Sequence, residues 1–221
     1  MPAKRNPCRK AASFTVRVCQ GCDNCHKKFR PRTARKLSAL PNAGGSRLSE
    51  KDGGYTVGVL VQCNFGSRQN LRIAGIPVGR EVSSEGPYAY QPSEISEQGS
   101  IIVVVATDAP LISTQLKRLA HRATLGLGRV GSISGNGSGD IFIAFSTANA
   151  GAAASKEVVN VKMLPNDSLD PVFAATVQAT EEAIVNALVA AESMTGIDGH
   201  YVTALPHDQL RAVLKKYNRL Q

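Results

Sequence analysis

The most reactive arrangement in the chain is a dipeptide, Gly99-Ser100. It lies where a polar stretch, Glu81 to Gly99 with four Glu and two Pro, meets the apolar run Ile101 to Ala106. A Ser at the start of a buried strand, preceded by Gly, is what a self-processing N-terminal nucleophile needs. Gly has no Cβ, so its carbonyl is open to the neighbouring hydroxyl and its backbone tolerates strain. Attack of Ser100 Oγ on the Gly99 carbonyl converts the amide to an ester, which water then cleaves. The product carries a free α-amine on Ser100, a group with a pKa near ~8 in model peptides. That amine can act as base for its own hydroxyl.

Gly-Ser dipeptides are common, so the pair alone decides nothing, and other groupings stand beside it. Cys19-x-x-Cys22-x-x-Cys25-His26 has metal-ligand spacing, with Cys8 upstream. It reads either as a small zinc or iron–sulfur site or as a Cys-rich accident in a basic, unpatterned stretch, because no second C-x-x-C pair follows. No metal and no cofactor is expected in the main body of the chain. Gly126-x-Gly128-x-x-Gly131 matches the dinucleotide fingerprint by letter, but it ends a helix and enters a loop, the reverse of what the fingerprint requires. No Walker lysine follows a Gly-rich stretch. The four His (His26, His121, His200 and His207) form no H-E-x-x-H pair. Ser138 has Asn136 and Asp140 where a nucleophile elbow has Gly. Cys63, inside an apolar run, reads as a small buried residue.

The elements that must position these groups begin at Gly53. Tyr55 to Phe65 is rich in β-branched residues and predicts a strand. Leu71 to Val78 is a short apolar piece broken by Gly75 and Pro77. Ile101 to Ala106 reads as a strand covered on both faces. Ser113 or Thr114 caps a helix carrying Leu116, Leu119, Ala120 and Ala123, with its end at Gly126 and Gly128. A Gly/Ser-rich loop leads to a strand over Asp140 to Ser146, and Lys156 to Met163 is a weaker strand candidate. Asp170-Pro171 starts a helix whose face is Phe173, Val177, Ile184, Leu188 and Ala191, running to Gly196. Leu205 to Tyr217 predicts a closing amphipathic helix. The pattern is a layered α/β domain.

The net charge of +9 is not spread evenly. Met1 to Asp52 holds 13 Lys/Arg against 3 Asp/Glu, whereas Gly53 to Gln221 holds 13 against 14. Nucleic-acid binding would therefore have to rest on the N-terminal segment, and nucleic acid is not an expected partner. No apolar run reaches the ~18 residues of a membrane span, and no apolar h-region follows the basic start. A cytoplasmic location is expected. Five Cys without a secretory signal do not form a disulfide framework.

Several stretches together resemble one family. GGYTVGVLVQCNFG (Gly53 to Gly66), LRIAGIPVGRE (Leu71 to Glu81), GSIIVVVATDAPL (Gly99 to Leu111), LKRLAHRATLGLGRVGS (Leu116 to Ser132), GNGSGDIFIAFSTAN (Gly135 to Asn149) and the run from Met194 to Leu210 are similar to the L-aminopeptidase/D-esterase family. These are self-processing serine aminopeptidases, the β-peptidyl aminopeptidases among them. The resemblance implies an α–β–β–α layered sandwich, distinct in topology from the usual N-terminal-nucleophile hydrolases. It implies Ser100 as nucleophile and Gly99–Ser100 as the self-cleavage site. It implies Ser138 as a second active-site hydroxyl, Asp140 as the carboxylate that orients it, and Asn64 as oxyanion donor.

The division expected from the resemblance is 1–45 as a basic segment outside the family pattern, 46–99 as the end of the larger subunit and 100–221 as the smaller one. Family precursors carry a longer region before the cleavage site, so the chain reads as shortened on that side. The implied function is release of N-terminal residues from small peptides, amides or esters by an oligomer of processed units. The alternative is an inactive remnant, or a binding module with a metal- or nucleic-acid-binding tail.

Overall fold

The computed structural model describes residues 14–15, 41–82, 98–195 and 201–220. The Cys19–His26 grouping, Cys8, His200 and most of the polar stretch before Gly99 lie outside them.

The core of the fold is a mixed sheet. Strand β3 (Thr56–Phe65) pairs antiparallel with β4 (Gln98–Thr107), from Val57 opposite Thr107 to Asn64 opposite Ser100. The outer edge of β3 carries β2 (Ala43–Arg47) and, at its far end, the two-residue β1 (Phe14–Thr15), both antiparallel. The outer edge of β4 carries β5 (Gly137–Ser138) and β6 (Ile141–Ser146), both parallel. Two helices, α1 (Ser113–Arg129) and α2 (Asp170–Ala190), lie on one face. A small hairpin of β7 (Met194–Thr195) and β8 (Tyr201–Val202) leads to α3 (His207–Lys216).

Alternation along the strands decides which side is core. Val57, Val59, Val61, Cys63 and Phe65 of β3 and Ile101, Val103 and Val105 of β4 are buried under the helices. Each such side chain contributes about 1.5–3 kcal/mol by leaving water. The helix α2 is buried on several sides, from Val172 and Phe173 to Ala187 and Leu188, because it packs on β2, on β3 and on α1. Two glycines set the distances. A Cβ on Gly44 would lie 2.1 Å from the Ala179 carbonyl, and one on Gly126 would lie 2.7 Å from Thr180 Cβ. The Gly126-x-Gly128-x-x-Gly131 letters are thus packing and turn residues: Gly131 ends the turn after α1 at φ 103°.

Apolar residues on the other face of the sheet are partly exposed. Ile102, Ile141, Ile143 and Phe145 are 38%, 50%, 49% and 37% exposed. The expectation that Ile101 to Ala106 is covered on both faces fails at Ile102, since among the described residues both covering helices lie on one side, whereas Ala106 on the same face as Ile102 is buried. Lys156 to Met163 also differs from expectation. It forms no strand, and Val158, Val159, Val161 and Met163 are exposed. Its β-branched residues favour a ladder, but among the described residues no strand lies beside it. Side chains clasp its backbone instead: Ser155 Oγ bonds the amide and the carbonyl of Glu157, and the Asn149 side chain those of Lys162. Three smaller differences concern helix ends. The residue before α1 is Ile112, whose amide donates to Gln115 Oε1, so Ser113 is the first helical residue rather than a cap. That helix runs through Gly126 and Gly128 to Arg129, and α2 stops at Ala190, short of Gly196.

Candidate active site

The expected site residues meet at one end of the sheet. Asn64 and Ser100 are register partners on β3 and β4. Both stand at even positions, so they share the face turned away from the helices. This follows from the odd-numbered neighbours, Cys63, Phe65 and Ile101, all being buried. Cys63 lies directly behind the site, and burial pushes its thiol up to about 12. It stays protonated at neutral pH and takes no part as a nucleophile.

Gly99 is held where only glycine fits. Its φ is 138°, and a Cβ there would lie 1.9 Å from the Asn64 carbonyl oxygen. The ladder between β3 and β4 closes over this residue, so the bond following Gly99 lies against the backbone of the strand that bears Asn64. On its other side Gly99 pairs in parallel with Ser138.

The loop Gly135 to Asp140 brings in the remaining groups. Ser138 Oγ donates to Asp140 Oδ1 at 2.5 Å, and the same carboxylate oxygen accepts the Ile101 amide at 3.0 Å. Asp140 is therefore tied to the residue that follows Ser100. The Gly139 amide donates to Ser100 Oγ at 3.0 Å. Ser100, Ser138 and Asp140 are all partly buried, and Asn64 is exposed. The structure thus gathers Ser100, Gly99, Ser138, Asp140 and Asn64 in one place. Sequence reasoning missed the two backbone donors, Gly139 and Ile101, because an amide leaves no mark on residue identity.

The arrangement has the components of acyl transfer. It has a hydroxyl, a neighbouring hydroxyl fixed on a carboxylate, and an amide side chain one strand away. Among the described residues no three metal-ligating side chains converge, and no helix is long and apolar enough to cross a membrane.

Comparison with known proteins identifies the family. The profile of peptidase family S58 matches residues 43–202. The β-peptidyl aminopeptidase BapA of Sphingosinicella microcystinivorans is 53% identical over 190 residues, 79% of this chain and 47% of that protein. The solved L-aminopeptidase D-Ala-esterase/amidase of Ochrobactrum anthropi, described as a prototype for the serine aminopeptidases and a variant of the Ntn hydrolase fold, superposes with a TM-score of 0.70. It is 46% identical, over 81% of this chain and 48% of its own. A β-aminopeptidase from a Burkholderia species gives 0.67 at 41% identity, over 79% and 48%. The chain spans about half the length of each of these relatives. With the match running from β2 through β8 and taking in the whole Asn64–Ser100–Asp140 cluster, the chain belongs to peptidase family S58.

Proposed function

We propose that this chain carries the nucleophile and its immediate partners for an aminopeptidase that first cuts itself between Gly99 and Ser100. The observation that supports this most is the closure of β3 on β4 at Asn64 and Ser100, with Gly99 confined to a backbone angle of 138° against the Asn64 carbonyl. Ser100 Oγ attacks the Gly99 carbonyl carbon, the C–N bond breaks, and the proton from Oγ ends on the Ser100 nitrogen. Water then cleaves the ester and leaves a free amine at Ser100. Ser138 donates its hydroxyl proton to Asp140, and its role in this reading is to take up the proton of Ser100 Oγ and relay it. Asn64 donates to the oxyanion, a contribution of a few kcal/mol in acyl-transfer sites.

In turnover the same hydroxyl forms an acyl-enzyme with an aminoacyl amide, peptide or ester and releases the N-terminal residue. The relatives' names motivate this substrate class. The exposure of Ile102, Ile141 and Ile143 on the sheet face that bears Ser100 supports a second reading, in which the groups are assembled but do not turn substrate over. The test is hydrolysis of an aminoacyl p-nitroanilide panel, covering α-L, α-D and β residues, by wild type and by Ser100→Ala. Release that depends on Ser100 supports the aminopeptidase. Wild type equal to the buffer rate, in a folded chain, supports the second reading.

A further inference from the structure

The oxygen proposed as nucleophile has a fixed donor. The Gly139 amide lies 3.0 Å from Ser100 Oγ, and its flanking residues tie it to the strand that bears Ser100. Ser138 pairs with Gly99, and Asp140 accepts the Ile101 amide. The donor is thus registered one residue before and one residue after its acceptor. A Cβ on Gly139 would stand 3.2 Å from Ser100 Oγ, closer than ordinary contact. Glycine keeps that side of the hydroxyl clear.

We propose that the Gly139 amide is a further catalytic group of this site, one that holds Ser100 Oγ in a single rotamer and stabilises the negative charge this oxygen carries as its proton leaves. The inference rests on the proposed role of Ser100 as nucleophile. A hydrogen bond to a charged oxygen is roughly twice as strong as one to a neutral hydroxyl. The difference favours the state in which Oγ is charged, and only such differential binding accelerates a step. That state occurs twice. It forms as Oγ loses its proton to attack the carbonyl. It forms again in deacylation, when water adds to the acyl carbon, the bond to Oγ breaks, and a proton from that water ends on Oγ. One amide serves both ends of the cycle, whereas Asn64 faces the carbonyl oxygen in between.

The test replaces the amide and leaves the shape. Glycolic acid incorporated at position 139 exchanges the N–H for an ester oxygen. Labelling of Ser100 by a fluorophosphonate and conversion of the full chain into its two pieces are then followed across pH, with circular dichroism to check the fold. Both rates should fall roughly 10- to 100-fold, and the alkaline limb of labelling should move to higher pH. Gly139→Ala, which keeps the N–H, should lose less and leave the limb in place. Equal rates and an unmoved limb in the ester variant would overturn the inference, as would an equal loss in both variants without a shift. If the ester chain does not fold, the amide proton of Gly139 gives a second reading. Its resonance should move upfield in Ser100→Ala, and an unmoved resonance would overturn the inference. A wild-type chain that cuts and labels normally while Gly139 proves irrelevant refutes this inference alone. A wild-type chain that does neither refutes the nucleophile role and this inference with it.

Discussion

Gly99→Ala separates backbone contact from backbone strain. Two glycines flank the site with positive φ, Gly66 at 82° and Gly99 at 138°. A side chain at either is strained by about 1–2 kcal/mol. At Gly66 an added Cβ meets nothing within 4 Å, so strain is the whole effect. At Gly99 it would lie 1.9 Å from Asn64 O, 2.9 Å from Asn64 C and 3.1 Å from Phe65 Cα. These are backbone atoms of the neighbouring strand and have no rotamer with which to yield. The strands must part by more than about 1 Å at this end, which adds the ~1–3 kcal/mol typical of overpacking. The same displacement moves Ser100 away from Asn64 and Gly139, and a 1 Å misplacement costs about 100-fold in rate. Urea melts should therefore place Gly99→Ala about 1–3 kcal/mol below Gly66→Ala, and denaturing gels should show Gly99→Ala uncut. Equal stability of the two variants, or normal cutting in Gly99→Ala, would refute this account of the cleavage site.

The two glycines inside α1 make a second pair. Gly126→Ala drives a Cβ to 2.7 Å from Thr180 and the Val177 carbonyl and should destabilise by about 1–3 kcal/mol. Gly128→Ala meets nothing within 4 Å and should stabilise by up to about 1 kcal/mol in the same melts. Glu81 accepts bonds from Lys216 at 2.8 Å and from Tyr217, joining the turn after β3 to α3. These bonds hold its carboxyl below the usual range, and the same contacts raise Lys216 and Tyr217. The Glu81 contribution is present above its unfolded pKa and is lost as pH falls through the lower folded value. The Lys216 and Tyr217 contributions are present below their unfolded pKa values and are lost as pH rises through the higher folded ones. A plot of Tm against pH should therefore be flatter in Glu81→Gln at both ends than in wild type. The exposed row Ile141, Ile143 and Phe145 should make the chain self-associate. Sedimentation velocity should show smaller species for Ile141→Thr with Phe145→Thr, and a well-behaved wild-type monomer would count against that reading.

Much of the fold was legible because its strands are written in β-branched residues. Tyr55 to Phe65 and Asp140 to Ser146 each fall within a residue of β3 and β6. The partial exposure of the second face was not legible. In IIVVVA both alternating sets are apolar, so the period that separates core from open surface is erased. Lys156 to Met163 has the composition of a strand, but pairing depends on a neighbour, which composition does not encode. Ser138 and Asp140 stand two residues apart, Asn64 is 36 positions from Ser100, and the roles of all three were reached only through resemblance. The pairing of β3 with β4 brings Asn64 and Ser100 together. The amides of Gly139 and Ile101 were beyond any reading of side chains.

The central claim is that Ser100 is a nucleophile freed by its own attack on Gly99. Intact mass spectrometry of the purified chain, followed by N-terminal sequencing, tests it most directly. The account predicts pieces of 99 and 122 residues from the 221, the second beginning Ser-Ile-Ile-Val, and a full-length chain only in Ser100→Ala. A folded wild-type chain that remains full length for days, or a cut at any other bond, would contradict it.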